Sequence, residues 1–169
     1  MISRDLLEDV MLFEIFDKPE NLVHNELASK DLRSYTHLPY ARVHNTTDKN
    51  TDIYEFIHKG AAEVHIVNAQ DKIGSIGLHK GAGASKLYGA VADLYKKHID
   101  AGKTARFYGF DKKSTGMYHR MFKSINRKHY NSSLQIDRKE NHIGILGDTI
   151  PEVYEVTKTK HKLQIKESK

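Results

Sequence analysis

The chain has 169 residues, 38% hydrophobic and 29% charged, a balance that suits one globular domain with a real core and excludes a disordered chain. It contains no cysteine, which excludes disulfides, thiolate nucleophiles, zinc–thiolate sites and iron–sulfur clusters together. No apolar run is long enough to span a bilayer, and the net charge of +5 suits polyanionic partners such as nucleic acid or phosphate-rich cofactors.

In chain order, MISRDLLEDVMLFEIF carries acids where a secretory leader would be basic, so a cytoplasmic protein is expected. Ser3 can cap a helix through Leu6, Leu7, Val10 and Met11, although residues 10–16 read equally as a strand; Pro19 stops either. Residues 21–35 have helical spacing at Leu22, Leu27 and Leu32, and residues 44–52, HNTTDKNTD, read as a polar loop. A β-meander follows, with strands at 53–57, 63–67 and 72–78 separated by HKGA and NAQD turns. Residues 85–99 then form an amphipathic helix, with Leu87, Val91, Leu94 and Tyr95 on one stripe. Residues 104–110 read as a strand and 114–128 as a helix, with Ser114 as its candidate cap and Met117, Met121 and Ile125 spaced for burial. LQIDR and HIGIL pair as a closing hairpin around KENH. The expected organisation is one domain over 1–150 with its core in 53–146, in the order β-β-β-α-β-α-β-β. A basic polar tail runs over 151–169, in which EVYEV can add a strand.

Two glycine-bearing stretches flank the helix over residues 85–99. KHIDAGKT, residues 97–104, ends like a nucleotide-triphosphate loop, but its first glycine position is Lys97, and a helix precedes it where a strand belongs. Phosphates there would meet the wrong end of the helix dipole, so Gly102 is expected to be a helix stop. At the other end, GLHKGAGASKL follows a strand and opens the helix. Gly81 and Gly83, with the small Ala82 and Ala84, allow backbone amides to approach an anion, and Lys80 and Lys86 add charge.

This arrangement resembles the GNAT superfamily of acyl-CoA N-acyltransferases. In that family a meander leads to a Q/R-x-x-G-x-G/A loop, a helix, a strand, a helix bearing a tyrosine and a final hairpin. Here the loop is Leu78-His79-Lys80-Gly81-Ala82-Gly83, with Leu78 standing where Gln or Arg usually begins it. DKKSTGMYHRMFKSI matches the tyrosine-bearing segment, with Asp111, Ser114, Met117 and Tyr118 at corresponding positions. The resemblance covers roughly 53–146 and is greatest to the divergent GNAT-like proteins of bacteriophages, whose place would be the host cytoplasm or the virion. It implies an α/β (α+β) fold, a mixed, mostly antiparallel central sheet flanked by helices. It also implies acyl transfer from acetyl-CoA, as co-substrate, to an amine.

On that resemblance, the amides from His79 to Ser85, including Ala84, hold the CoA pyrophosphate, and Tyr118 is the general acid for the departing thiolate. A phenol with an ordinary pKa of ~10 carries its proton at neutral pH, as that role requires. Glu63 and His65, on the second meander strand, are the candidates for the base that deprotonates the amine. Asp111 either binds a ligand amide or caps the next helix. The acceptor amine is left open: polyamine, protein lysine, nucleobase or aminoglycoside.

The eleven histidines form no metal motif such as H-E-x-x-H, so they are expected to be scattered over the surface, with no metal. Two other readings remain. One is an inactive GNAT-like protein making virion or host contacts. The other is a nucleic-acid binder using INRKHYNSS and the basic tail, where Tyr130 and His161 stand among lysines and arginines.

Overall fold

The structure, a computed structural model, describes residues 19–68, 84–109 and 112–159. In chain order its elements are β1 (Val23–Asn25), α1 (Glu26–Thr36), β2 (Ala41–Asn45), β3 (Thr51–His58), β4 (Ala61–Asn68), α2 (Ala84–Asp100), β5 (Thr104–Phe107), α3 (Lys112–Tyr130), β6 (Leu134–Ile143) and β7 (Thr149–Lys158). The strands make one seven-stranded sheet in the order β1-β2-β3-β4-β5-β7-β6. Every pair is antiparallel except β4 and β5, which are parallel and joined through α2. This is the expected α/β class, a mostly antiparallel sheet flanked by helices. The helix or strand expected at 3–16 and the strand expected at 72–78 lie outside the described residues. Among the described residues, no helix is long and apolar enough to cross a membrane.

Cross-strand register sorts the sheet into two faces, because side chains two apart share a side. One face carries Ile53, Val64, Ile66, Ala105, Phe107 and Val156, and helices α2 and α3 pack on it through Val91, Tyr95, Met121 and Phe122. The rings of Phe107 and Phe122 stack at 4.8 Å. The other face carries Ala41, Val43 and Phe56, covered by Leu32 of α1 and by Ile145 from the turn between β6 and β7. Glu63 and His65 lie on that second face, beside Phe56 and Tyr54 in register.

Helix α1 starts at Glu26, later than its apolar spacing suggests, because Asn25 caps it. The Asn25 carboxamide oxygen accepts from the Ala28 N–H at 3.0 Å, and residues 23–25 pair with β2 instead. Leu32 is buried as expected, but Leu27 is 75% exposed. The polar loop shrinks to 46–50, since His44 and Asn45 finish β2 and Thr51 and Asp52 begin β3. Ser114 is no cap: α3 already starts at Lys112, so Ser114 sits inside its first turn. The junction before α3 needs a glycine. A Cβ on Gly109 would lie 2.3 Å from the Ser114 hydroxyl and the Thr115 nitrogen.

The C-terminal third departs most from expectation. The hairpin does not turn at KENH; those residues belong to one continuous strand, β6, and its partner is β7. Residues 151–158 are therefore no polar tail: the strand expected at EVYEV extends over Thr149–Lys158 and lies between β5 and β6. The turn is Gly144–Asp148, where the Gly144 N–H donates to the Asp148 carbonyl at 2.7 Å and Gly147 has φ 83°. Register runs from Leu134↔Lys158 to Ile143↔Thr149 and skips one position, where Pro151 would face Asn141. Proline has no N–H to give that ladder rung, and Asn141 takes the left-handed conformation with φ 55°.

The Gly-Lys-Thr stretch is a helix stop. The Lys103 N–H donates to the His98 carbonyl and the Gly102 N–H to the Ile99 carbonyl, both at 2.9 Å, with Gly102 at φ 83°. These two bonds are a Schellman motif, and they use the amides that a phosphate loop would offer to its ligand. A groove of about 570 Å³ borders this stretch, between Lys103, Lys158 and Thr159, and the helix turns its carbonyl end towards it. Gly102→Ala is expected to lower stability by about 1–2 kcal/mol through left-handed strain alone, since nothing stands within 4 Å of the added Cβ. Lys103→Ala should stay within about 0.5 kcal/mol of the parent. Urea denaturation of the two variants checks both, and an equal or larger loss for Lys103→Ala would contradict the helix-stop assignment.

Candidate functional site

Among the hydrogen-bonded pairs of the sheet, β4 and β5 share only Ala61↔Thr104, Ala62↔Ala105 and Glu63↔Arg106. Strand β4 continues to Asn68 whereas β5 ends at Phe107, so β4 runs on without β5 beyond Glu63. At that last pair the two side chains form a buried ion pair on the α1 face. Arg106 Nη1 donates to Glu63 Oε2 at 3.1 Å and to the His58 carbonyl at 2.8 Å, and Nη2 donates to Glu155 Oε2 at 3.0 Å. Glu63 is 0% exposed. Its other partners are His58, whose Nδ1 lies 3.4 Å from Oε2, His65, whose Nε2 lies 3.1 Å from Oε1, and Tyr108. Burial alone would push this carboxyl up. The hydrogen bonds from His58 and His65 and the charges of His65 and Arg106 outweigh it and hold the group well below the usual carboxylate range.

An ionised Glu63 decides the tautomer of His65. A carboxylate only accepts, so the His65 nitrogen facing it, Nε2, carries hydrogen. The other nitrogen, Nδ1, is buried and has no hydrogen-bond partner among the described residues. His65 is 3% exposed, with the Tyr108 ring 5.1 Å and the Phe56 ring 6.0 Å from its own. Glu63 and His65 thus form a dyad in which the carboxylate orients the imidazole and one ring nitrogen is left to exchange a proton. Glu63 itself is held ionised and paired with Arg106.

On the opposite face, at the same stretch of β4, two tyrosine hydroxyls take the place that a neighbouring strand would fill. Tyr95 of α2 accepts from the Val64 N–H at 3.0 Å and donates to the Arg106 carbonyl at 2.7 Å, bridging β4 to β5. Tyr118 of α3 donates to the Val64 carbonyl at 3.4 Å and also meets the Ile66 amide. Its ring is 2% exposed and stacks on Phe107. Burial pushes the Tyr118 phenol well above its ordinary value, with the neighbouring Tyr88 adding to the rise, so it holds its proton at any physiological pH.

Of the residues marked from sequence, the structure thus brings Glu63 and His65 together and sets Tyr118 behind the same strand. Leu78, His79, Lys80, Gly81, Ala82, Gly83 and Asp111 lie outside the described residues. Ala84 and Ser85 form the first turn of α2, the position a helix N-terminal anion site requires. Tyr130 does not offer a face for base stacking: it is 8% exposed and donates its hydroxyl to Asp100 Oδ1 at 2.7 Å.

The described histidines are only partly on the surface, where His24, His37 and His129 are exposed. His44, His65 and His98 are buried, and a second buried carboxylate, Glu55, collects two of them. His44 Nε2 lies 2.9 Å from Glu55 Oε1, His98 bonds Oε2, and the Tyr40 hydroxyl donates at 3.1 Å. Glu55 lies under α2, whereas Glu63 lies on the other face. The available signal was a lone acid inside each apolar strand, IYEFI and AAEVHIV, since a buried charge needs partners. Nothing in the spacing identifies His58, Arg106 or His142 as neighbours of Glu63, or Glu155 as the second carboxylate on Arg106.

In comparisons with family models, curated proteins and solved structures, the chain matches none.

Burial pushes Glu55 up, but the hydrogen bonds and charges of His44 and His98 carry it far below its ordinary value of 4.5. The unfolded chain then binds this proton more readily than the native one. The resulting stability is complete above the unfolded value and is lost progressively as pH falls from about 5 through the folded value. Urea melts over a pH series should show this acid limb, and Glu55→Gln should flatten it while lowering stability at neutral pH by about 3 kcal/mol. An unchanged acid limb in Glu55→Gln would show that this carboxylate is not its source.

Proposed function

We propose that this protein is a GNAT-like acyltransferase that moves an acyl group from acetyl-CoA to an amine. The observation that carries the reading is the brief parallel pairing of β4 and β5, which ends at Glu63↔Arg106 and leaves the β4 backbone at Val64 and Ile66 bonded to tyrosine hydroxyls. A slot that exposes strand backbone suits the amide-bearing arm of CoA, which can bond to β4 as a strand would. The order of elements around that pair supports the same family resemblance: a meander, α2 opening after β4, β5, a tyrosine-bearing α3, then a hairpin whose second strand inserts beside β5. The first turn of α2, with the glycine loop before it in sequence, suits the pyrophosphate.

In the proposed step a neutral amine adds to the thioester carbonyl. The C–S bond breaks, the new amide nitrogen loses its extra proton to His65 Nδ1, and the thiolate takes one from Tyr118. Glu63 stabilises the imidazolium that forms, as a carboxylate behind a catalytic histidine does. Tyr118 held above its ordinary value is a reluctant donor while sealed. Entry of the CoA arm, by replacing its bond to Val64, is what makes its proton available.

A second reading has its own observation. Tyr95 and Tyr118 between them satisfy the exposed backbone of Val64, so the slot is closed without a ligand. A fold kept for contacts with other proteins, with catalysis lost, would look the same.

Acetyl-CoA is expected to raise the melting temperature, since a ligand that binds only the native state stabilises it by RT ln(1 + [L]/Kd). Gly83→Glu, which puts a bulky anion in the glycine loop, should abolish the rise. In an assay with a mixed panel of amines, Tyr118→Phe and His65→Ala should each lower kcat about 10²–10⁴-fold. No thermal shift with saturating acetyl-CoA or CoA would sink the enzyme and leave the contact protein. A shift without turnover that survives in both variants would argue for a bound but unreacted cofactor.

A further inference from the structure

His58, Glu63 and His142 come from three different strands, and one donor atom of each lies within 4.8 Å of the other two. From this juxtaposition we propose that the three residues form a binding site for a divalent transition-metal ion, with zinc, cobalt(II) and nickel(II) as the chemical class. The proposal does not rest on the acyl-transfer reading, although both draw on Glu63, through different oxygens of its carboxylate.

Three features of the cluster fit a metal. Two imidazoles and one carboxylate are a ligand set that zinc-type ions take, leaving the fourth tetrahedral position for water or another ligand. The spacing is also right. Bonds of about 2.0–2.1 Å in a tetrahedron put ligand atoms ~3.3 Å apart, and His58 Nδ1 already stands 3.4 Å from Glu63 Oε2. Finally, His142 Nε2 is buried and has no hydrogen-bond partner among the described residues. A buried polar atom left so costs free energy unless something binds it.

The charges nearby tolerate a cation. Arg106 also contacts Glu63 Oε2, at 3.1 Å, but Glu155 shares its guanidinium at 3.0 Å. Two carboxylates therefore face one guanidinium, which offsets part of the positive charge that Arg106 and Lys59 place near His142. Oxygen Oε1 meanwhile stays with His65 at 3.1 Å, so the carboxylate keeps its orienting bond when Oε2 turns to a metal. The second buried carboxylate provides the contrast: His44 and His98 take different oxygens of Glu55, and among the described residues no third ligand joins them within the same reach. A metal here would tie the end of β6 to β3 and β4, and so pin the β6–β7 turn against the sheet.

The test uses the full chain, stripped with a chelator and titrated with cobalt(II) alone, then with zinc as competitor. The expected result is one cobalt per chain with the intense visible bands of a tetrahedral site, bleached by zinc, and a zinc-dependent rise in melting temperature. His142→Ala, at a half-buried strand position, should keep the far-ultraviolet circular dichroism of the parent. It should weaken cobalt binding at least tenfold and lose the tetrahedral bands. His58→Ala should do the same, whereas His119→Ala, outside the cluster, should bind as the parent does. Weak octahedral bands only, or cobalt binding unchanged in His142→Ala, would overturn the site.

Discussion

The Glu63–Arg106 pair stands where β4 and β5 part, and the middle of the molecule is arranged around it. Two charges taken out of water repay that cost only with good geometry and further hydrogen bonds. Here they receive both: Arg106 reaches two carboxylates and a backbone carbonyl, and Glu63 gathers two imidazoles and a phenol. The pair also sits at the last hydrogen-bonded rung, so the parallel ladder is anchored at the point where it ends. Everything assigned a role on the α1 face takes its position from that anchor. His65 is oriented by one carboxylate oxygen and the His58–His142 group is gathered near the other.

The opposite face solves a different problem with the same strand. Where β4 loses its partner strand, its amides and carbonyls would be unpaired in the core, which costs more than an ordinary hydrogen bond is worth. Two helices each lend a tyrosine hydroxyl to that gap. A hydroxyl can both donate and accept, so Tyr95 alone links Val64 to Arg106 and substitutes for a rung of the ladder. The bonds at this seam are made by side chains and not by a strand.

What the sequence revealed follows from how local each signal was. Helices α2 and α3 were legible because their apolar residues recur at helical spacing, and Gly102 was legible as a stop from the helix before it. Strands β3 and β4 showed through as short β-rich runs between turn residues. Strand β2 did not, because Ala41-Arg42-Val43-His44-Asn45 buries a histidine on one face and only two small apolar residues on the other. The β6–β7 hairpin was misplaced because its charged middle imitates a turn, while the true turn, GILGD, hides two apolar residues between glycines. Tyr118 stands out by likeness to a known segment, and Glu63 and His65 by residue type on a strand. Arg106 lies 43 positions from Glu63 and a further 49 from its second carboxylate, Glu155, and these strands meet through register, which no local pattern encodes.

Strand β6 closes one side of the sheet, and its outer edge faces no other strand among the described residues. Ten residues of open edge would ordinarily invite a second chain to add on, the first step towards aggregation. This one is poorly suited as a template. Asp137, Arg138, Lys139 and Glu140 run consecutively through its middle, so a docking strand would meet ionised side chains on both faces of the pleat. Just beyond them, Asn141 turns into the left-handed region opposite Pro151 and interrupts the straight run of amides that a newcomer would read. The rung that Pro151 breaks inside the hairpin therefore leaves an irregularity on its outside as well.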